Sequence, residues 1–263
     1  MLDGAKVAVQ VVNYRTRRYL ERCVETVVSD LAGAGLEYEI NLLDNASGED
    51  LDELAARIRC CRAFTAPVNR GFGAGQNFLA GVTDAPYLLI LNPDVEFLFP
   101  DTIRRLLLPV ASVDRVKVAG AKLLSSDGRA QPYDHGRLHG VRAEIAMKGG
   151  HSYWRETDTR QEVAWVSGAA MLVERAAFLA LGGFDEQLFL YKEDEDLCLR
   201  MRRAGWQVIY EPAAVLRHQG SVVADQHRDL AVALDYFFAK HFEGRHFRAA
   251  FAAVHRWLAY LRL

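Results

Sequence analysis

Four consecutive carboxylates, Glu193, Asp194, Glu195 and Asp196, follow an apolar run in this 263-residue chain. Acids are common in the first turn of a helix, because they complement the partial positive charge at its N-terminus. On a helix with about 100° per residue, Asp194 heads the apolar face, Glu195 lies on its flank and Asp196 lies on the far side. We therefore expect three of the four acids on a solvated or flanking surface, with Asp196 paired to Arg200.

Asp194 does not fit that surface interpretation. A carboxylate that faces a core or a cleft tends to have a perturbed pKa, which suits a general base. The sequence therefore predicts that Asp194 removes a proton during catalysis. The alternative is that its carboxylate caps a neighbouring loop by accepting backbone N–H bonds.

Asp94 and His218 could bind a divalent metal ion. Asp94 ends the apolar stretch "YLLILNPD" (87–94), and Mg²⁺ in proteins is typically held by one or two carboxylates together with substrate phosphates. His218 follows a short predicted strand and precedes Gly220. The alternatives are a turn aspartate after Pro93 and a structural histidine.

The glycine-rich stretch "NRGFGAGQN" (69–77) is not a dinucleotide-binding fingerprint. That motif needs glycine where this chain has Gln76, and it should follow the first strand. The loop could still let the backbone approach a phosphate or ribose closely.

The elements that would position these residues alternate between strands and helices. Apolar, β-branched runs predict strands, and amphipathic segments between them predict helices, including one from a capping box of Ser47 and Asp50 to about Cys61. This alternation predicts a parallel, doubly wound sheet, in which ligands bind outside the carboxyl ends of the strands. Asp44 and Asp94 lie at such ends. The predicted strands of the first half are 6–14, 38–44, 61–67 and 87–94.

The second half is less regular. We expect residues 129–162 to form a mobile loop region in which His135, His139 and His151 lie on the surface. From Val222 onward the pattern is helical. The predicted strands are 116–124, a single strand at 163–173, and two late strands at 206–212 and 214–218.

Composition limits the possible functions. Lys and Arg total 32 against 34 acids, a net charge of −2, so no global basic field exists to bind nucleic acid. The N-terminus is typical of a first strand rather than a signal peptide, and no run approaches the roughly 18 apolar residues of a membrane span. The thiols of Cys23, Cys60, Cys61 and Cys198 lack metal-ligand spacing, so we expect them to be reduced, mostly buried thiols of a cytoplasmic protein.

Taken together, these segments resemble the family 2 inverting glycosyltransferases, which have the GT-A fold, over residues 5–225. Within that family the chain is most similar to bacterial rhamnosyltransferases of surface polysaccharides. The order and spacing of the segments make the resemblance far more specific than one motif. They are "VVNY", "LLDNAS", "NRGFGAGQN", "LILNPD", "GAKLLSSDGR", the run from Val166 to Trp206, and "YEPAAVLRHQGS".

The resemblance implies a donor site for a nucleotide-diphosphate sugar, either a dTDP- or a UDP-sugar. Tyr14 would lie against the nucleotide base, and Asp44 would accept a hydrogen bond from the N–H edge of that base. Asn69 and Gly71 would border the ribose and phosphates, and Asn92 would also contact the donor.

The resemblance also implies Mg²⁺ or Mn²⁺ as cofactor. Asp94 matches the last acid of the family's metal motif, and His218 matches its late metal-site histidine. The chain departs from the family in two places. The metal motif often reads Asp-x-Asp but here begins with Asn92, which bears on metal affinity. Many relatives have Asn where this chain has Arg15, which bears on donor contacts.

The acceptor side would include Gly168, Ala169 and Glu193. Asp194 matches the family's catalytic base, in agreement with the helical pattern. The implied reaction is a single displacement that inverts the anomeric carbon, with a saccharide or lipid-linked saccharide as acceptor. Two alternatives remain: a nucleotidyltransferase on a similar sheet, and a non-catalytic sugar- or nucleotide-binding module.

The expected organisation is one catalytic domain over 1–225, with a nucleotide-sugar half (1–98) and an acceptor half (99–225). A helical extension over 226–263 follows it. In 245–263 an aromatic stripe beside arginines predicts contact with the inner face of the cytoplasmic membrane; packing on the protein's own core or a second subunit is the alternative.

Overall fold

A computed structural model describes residues 2–137, 154–220 and 226–242 of the chain. Within these ranges it contains eleven strands and seven helices. The strands are β1 (Lys6–Asn13), β2 (Glu37–Asp44), β3 (Cys61–Thr65), β4 (Tyr87–Leu91), β5 (Val95–Phe97), β6 (Val116–Leu124), β7 (His135–Gly136), β8 (Gln161–Glu162), β9 (Trp165–Val166), β10 (Ala170–Glu174) and β11 (Gln207–His218). The helices are α1 (Arg17–Ala32), α2 (Asp52–Ala56), α3 (Phe72–Gly81), α4 (Thr102–Ser112), α5 (Arg175–Ala180), α6 (Glu193–Arg203) and α7 (Gln226–His241).

One mixed, mostly parallel sheet forms the centre of the fold, which confirms the predicted class. Its strand order is β3-β2-β1-β4-β10-β6-β11-β5, and β8 pairs with β11. The pairs β1–β2, β1–β4, β2–β3 and β6–β11 are parallel. The strand β10 runs antiparallel to both β4 and β6. Strands from both predicted halves therefore join one sheet, and the assignment of the halves to donor and acceptor stays a prediction.

The central strands are apolar along their length because helices cover both faces of the sheet. Val7, Val9 and Val11 of β1 pack with buried side chains of α1 and α4 on one face. Leu88 and Ile90 of β4 pack with buried side chains of α5 and α6 on the other. Alternate residues of one strand thus belong to two cores.

Several predicted elements have different bounds. The single strand predicted at 163–173 is two, because β9 leaves the main sheet and pairs with β7. The two late strands predicted at 206–212 and 214–218 are one strand, β11, with a register shift between Glu211 and Val215. Helix α2 is only five residues long, and the Ser47 side chain bonds to Asp44 instead of capping it.

The prediction that His135 lies on the surface is wrong. His135 is buried, its Nδ1 lies 2.7 Å from Asp134 Oδ1, and its ring stacks on Tyr210 with centroids 3.8 Å apart. The Tyr210 hydroxyl donates to the other oxygen of Asp134. The sequence around His135 is polar, so it gave no sign of the contact with Tyr210 on β11. His139 and His151 lie outside the described residues.

The glycine-rich stretch is mostly helix rather than loop, because α3 begins at Phe72. Gly71 precedes it with φ of 90°, and a Cβ there would overlap the carbonyl oxygen of Phe189. A Cβ on Gly75 would come within 2.8 Å of Val12 on β1. These glycines therefore permit close packing of α3, and contact of Gly71 with the ribose and phosphates stays a prediction.

The four cysteines form no disulfide. Cys23 and Cys198 are buried, whereas Cys60 is exposed, so the thiols are less uniformly buried than expected. Across the described ranges, no helix is both long and apolar enough to cross a membrane. The predicted membrane-contacting stripe in 245–263 lies outside the described residues.

The backbone at Gly71 generates a stability prediction. Gly71→Ala should lower the free energy of unfolding by at least about 2 kcal/mol, because a left-handed φ strains an L-residue and the new methyl overlaps Phe189. Gly81→Ala is the matched control on α3, where a Cβ meets no atom within 4 Å. It should be neutral or stabilising by up to about 1 kcal/mol. Urea unfolding measures both, and equal effects would contradict the packing argument.

Candidate active site

The carboxyl ends of β1 and β2 form one wall of the candidate site. The register places Asn13 opposite Asp44, and the Asn13 amide lies 3.1 Å from the Asp44 carboxylate. The same carboxylate accepts the Ser47 hydroxyl and the backbone N–H groups of Ser47 and Gly48, at 3.0 and 3.1 Å. Asp44 is 0% exposed, so it organises the turn that follows β2. Its contact with a nucleotide base stays a prediction.

Tyr14 and Arg15 form the rim of this wall. Tyr14 is partly buried directly after β1. The Arg15 guanidinium lies 5.2 Å from the centre of the Tyr14 ring, a distance at which a cation is attracted to a ring face. Arg15 has φ of 57°, which non-glycine residues seldom adopt. Arg15 thus lies beside Tyr14, the residue predicted to contact the base.

Asn69 organises the turn ahead of α3. Its side-chain oxygen accepts the Gly71 N–H and the Asn45 amide, both at 2.9 Å. The Asn45 amide also reaches the Gly71 carbonyl at 3.1 Å. Asn45 was not singled out from the sequence, since an asparagine in a turn has no distinctive spacing.

Asp94 and His218 meet where β4 and β11 end. The Asp94 Oδ1 atom is 3.5 Å from His218 Nε2, and its Oδ2 accepts the Gly220 N–H at 2.9 Å. The Asn92 side-chain nitrogen lies 3.3 Å from the same His218 Nε2. Burial alone would raise the pKa of Asp94, but the hydrogen bond and charge of His218 outweigh it and lower that pKa. The sequence-predicted pair is therefore brought together, with Asp94 ionised.

This donor set fits a hard divalent cation that a substrate completes. In the described ranges no cluster of three or more Asp, Glu, His or Cys side chains could hold a metal ion by itself. One carboxylate oxygen and one imidazole nitrogen leave positions for diphosphate oxygens and water, as is usual for Mg²⁺. Asn92 lies beside this pair, but its side chain is a neutral amide and adds no negative charge to the site.

Asp194 lies at the start of α6, facing the turn between β9 and β10. Its Oδ2 accepts the Gly168 N–H at 2.9 Å, and its Oδ1 accepts the Glu195 N–H at 2.8 Å. The loop-capping contact is therefore present. Burial raises the pKa of Asp194 above its ordinary value, although these two N–H bonds lower it in part. A carboxylate with a raised pKa is a stronger proton acceptor.

Glu193 is buried beside Asp194. It is 6% exposed, and its Oε2 atom has no hydrogen-bond partner among the described residues. Burial and the neighbouring Asp194 charge raise the pKa of Glu193 well above its ordinary value. Tyr191 and Lys192, just before it, have φ of 72° and 68°. This strained turn starts the helix so that two adjacent acids have different surroundings.

The prediction that the other three acids lie on a solvated or flanking surface is wrong. Glu193, Glu195 and Asp196 are buried, and only Asp194 remains partly exposed.

Asp196 does pair with Arg200, at 2.7 Å, as predicted. It also contacts Lys240 Nζ and His241 Nε2 of α7, each at 2.6 Å. The helical wheel misplaced Asp196 because a segment more than forty residues later in the chain covers that side of α6.

A chain of direct contacts joins Asp194 to the predicted metal ligands. Asp194 holds the Gly168 N–H, and the next residue, Ala169, accepts the Asn92 N–H at 3.0 Å. The Asn92 side chain then contacts His218, which lies beside Asp94. The predicted acceptor edge is thus directly between the predicted base and the predicted metal site.

Comparison with known proteins gives these contacts a family context. Residues 5–258 match the family model described as "Glycosyltransferase like family 2". An "N-acetylglucosaminyl-diphospho-decaprenol L-rhamnosyltransferase" of Mycobacterium tuberculosis is 30% identical over 200 residues, which is 67% of this chain and 65% of that protein. The chain therefore spans about 65% of that relative's length. "Rhamnosyltransferase WbbL" of Escherichia coli K12 is 26% identical over 222 residues, which is 79% of this chain and 81% of that protein.

A solved structure supports the fold. The mannosyltransferase PcManGT from Pyrobaculum calidifontis, solved with GDP-Man and Mn²⁺, superposes with a TM-score of 0.63 at 17% identity. The match covers 91% of this chain and 65% of that one. The GT-A fold expected from the sequence is confirmed.

The buried Asp196 generates a prediction about acid stability. Burial would raise its pKa, but the His241 hydrogen bond and the Arg200 and Lys240 charges lower that pKa to about 2 from its ordinary 3.8. A carboxylate whose pKa is lower in the folded state stabilises the protein at pH values above its ordinary pKa, and this stabilisation is lost as the pH falls toward 2. The free energy of unfolding of the wild type should therefore exceed that of Asp196→Asn by about 2 kcal/mol near neutral pH.

That difference should decline as pH falls from about 4 toward about 2. Urea unfolding of both proteins across this range measures it. Asp114→Asn, at an exposed position, is the control and should stay within about 0.5 kcal/mol of the wild type. A difference independent of pH would show that Asp196 does not bind α7 as an ionised group.

Proposed function

We propose that this chain, which belongs to the family described as glycosyltransferase like family 2, is an inverting glycosyltransferase. It would move a sugar from a nucleotide-diphosphate donor to a saccharide or lipid-linked saccharide. The observation that carries this proposal is the run of direct contacts from Asp194 through Gly168, Ala169 and Asn92 to His218 and Asp94. These contacts support a site in which Asp194, as proton acceptor, and the Asp94–His218 pair, as the diphosphate-binding side, would lie on two sides of one small region.

Asp194 acts as the general base in this proposal. It takes the proton of an acceptor hydroxyl, and that oxygen forms a bond to the anomeric carbon of the donor sugar. The bond from that carbon to the diphosphate breaks, and the configuration inverts because attack and departure are on opposite faces. Two backbone N–H bonds hold the Asp194 carboxylate, so little reorganisation is needed before proton transfer.

Asp94 and His218 would hold the divalent ion, Mg²⁺ or Mn²⁺. When bound, such an ion offsets the negative charge that grows on the departing diphosphate. Support comes from the ionised, largely buried Asp94 beside His218. The Pyrobaculum mannosyltransferase was solved with GDP-Man and Mn²⁺, which is consistent with this cofactor.

The substrates follow from the relatives. Both rhamnosyltransferase names support rhamnose as the transferred sugar. The proposed donor is a dTDP- or UDP-sugar, as the family resemblance implies. The diphospho-decaprenol in the mycobacterial name supports a lipid-linked acceptor. Such an acceptor would place the reaction at the inner face of the cytoplasmic membrane. Tyr14, Asp44 and Asn69 would line the nucleotide end.

The base assignment generates a kinetic prediction. Asp194→Asn keeps the shape of the side chain but cannot accept the proton, so transfer should fall by at least about 100-fold. Donor affinity measured by calorimetry should be preserved, since Asp194 contacts the acceptor side. Because the base must be ionised, wild-type kcat/KM should fall as pH drops through an apparent pKa above the ordinary aspartate value of about 3.9.

Glu193→Gln is the matched variant for this test. Burial and the Asp194 charge raise the pKa of Glu193 and so favour its neutral form, and a neutral amide in its place should cost far less activity than Asp194→Asn. If Glu193→Gln abolished transfer while Asp194→Asn kept near-normal rates, the base would be Glu193.

The metal assignment generates a binding prediction. Asp94→Ala removes the carboxylate that holds the ion, so donor binding should become independent of Mn²⁺. His218→Ala should weaken Mn²⁺-dependent binding less, because it removes a neutral ligand. Calorimetry with UDP-sugar, with Mn²⁺ or with a chelator, measures this. Wild-type donor affinity unaffected by the chelator would contradict the metal site.

A further inference from the structure

Gln131 contacts His218 twice. Its side-chain nitrogen donates to the His218 backbone carbonyl at 2.7 Å, and its side-chain oxygen lies 2.9 Å from the ring Nδ1. The His218 ring is therefore held on the side opposite Asp94, whose Oδ1 faces Nε2 at 3.5 Å. Nothing in the sequence pattern singles out Gln131, because a glutamine after a polar turn is common.

These two contacts determine which ring nitrogen of His218 carries hydrogen. A backbone carbonyl can only accept, so the amide nitrogen of Gln131 must be the atom that faces it. The amide oxygen then faces Nδ1, and an amide oxygen also only accepts. Nδ1 must therefore be the protonated nitrogen. Nε2 is then the nitrogen that loses its proton when the ring becomes neutral. In the charged ring Nε2–H faces Asp94, and in the neutral ring Nε2 offers its lone pair beside Asp94 and the Asn92 amide.

Local structure explains why Gln131 reaches His218. The turn after β6 closes with a bond from the Gly128 N–H to the Ser125 carbonyl at 2.9 Å, and the Gln131 N–H then bonds the Leu123 carbonyl at 2.8 Å. The returning chain thus runs along β6. Strand β11 pairs with β6 up to Leu124, which lies opposite Arg217. His218, the next residue of β11, therefore lies at the end of β6, where the Gln131 side chain reaches it.

Gly220 completes the arrangement. It has φ of 74°, and a Cβ at this position would lie 3.8 Å from the Gln131 side-chain nitrogen and 4.0 Å from the His218 ring. Its N–H binds the other oxygen of Asp94. The chain after β11 therefore turns tightly around the amide and fixes Asp94 at the same time.

We propose that Gln131 is a positioning residue, which holds His218 in the Nδ1–H tautomer so that Nε2 is presented as a metal ligand beside Asp94. This inference rests on the metal site of the proposed function. Partners that orient a ligating histidine typically change metal affinity by about 10–100-fold when removed. Gln131 would act through His218 and would not contact the metal or the donor.

The test uses the full chain, ¹⁵N-labelled at histidine, and the variant Gln131→Met, which keeps side-chain length but removes both hydrogen bonds. Two-bond ¹H–¹⁵N correlation spectra of the metal-free protein report the tautomer of His218, assigned with His218→Gln. Titration of Mn²⁺ by electron paramagnetic resonance, alone and with UDP, reports affinity. Gln207→Met, at the opposite end of β11, is the matched control.

In the neutral ring, wild-type His218 should be the Nδ1–H tautomer, and Gln131→Met should shift it toward Nε2–H and weaken Mn²⁺ binding by about 10–100-fold. Gln207→Met should change neither. An Nε2–H tautomer in the wild type, or unchanged Mn²⁺ affinity in Gln131→Met, overturns the proposal.

The tautomer is read in the metal-free wild type, so it decides the orientation even if Gln131→Met fails to fold. A wild type that binds no Mn²⁺ overturns the metal site itself, whereas Mn²⁺ binding with the wrong tautomer overturns only the role of Gln131.

Discussion

The antiparallel pairing of β10 with β4 is the constraint on which the candidate site depends. Because Ala170 lies opposite Leu91, the turn that enters β10 and the turn that leaves β4 are side by side. The Ala169 carbonyl then accepts the Asn92 N–H, which joins the two turns directly. A parallel strand in that place would bring the other end of β10 to this edge of the sheet. The predicted metal-binding and acceptor sides would then be separated.

Helix α6 meets two different demands along its first turn. Asp194 is partly exposed and faces the Gly168 turn, whereas its neighbours Glu193, Glu195 and Asp196 are buried. Asp196 meets the second demand through Arg200, Lys240 and His241. Buried carboxylates without cations would be costly, so α7 supplies positive charge where α6 brings negative charge into the core. The packing of α7 on α6 therefore supports the position of Asp194.

Much of this architecture could be predicted from the sequence, for physical reasons. Continuous apolar runs such as those of β1 and β4 require coverage on both faces, and this leads to a parallel sheet with ligands at its carboxyl ends. The proximity of Asp94 and His218 came from the family resemblance, not from spacing. The burial of Asp196 and His135 and the contact of Gln131 with His218 could not be predicted, because each of these residues contacts an element distant in sequence. Periodicity describes one element's faces but not what packs on them.

The central claim is that Asp194 and the Asp94–His218 pair serve one donor molecule. The most direct measurement is a crystal structure of the full chain with Mn²⁺ and a non-hydrolysable nucleotide-diphosphate sugar, with data collected at the manganese absorption edge. The account predicts an anomalous peak at coordination distance, roughly 2 Å, from Asp94 Oδ1 and His218 Nε2, with the anomeric carbon facing Asp194 across a space for an acceptor hydroxyl. A manganese peak elsewhere, or an anomeric carbon turned away from Asp194, would contradict it.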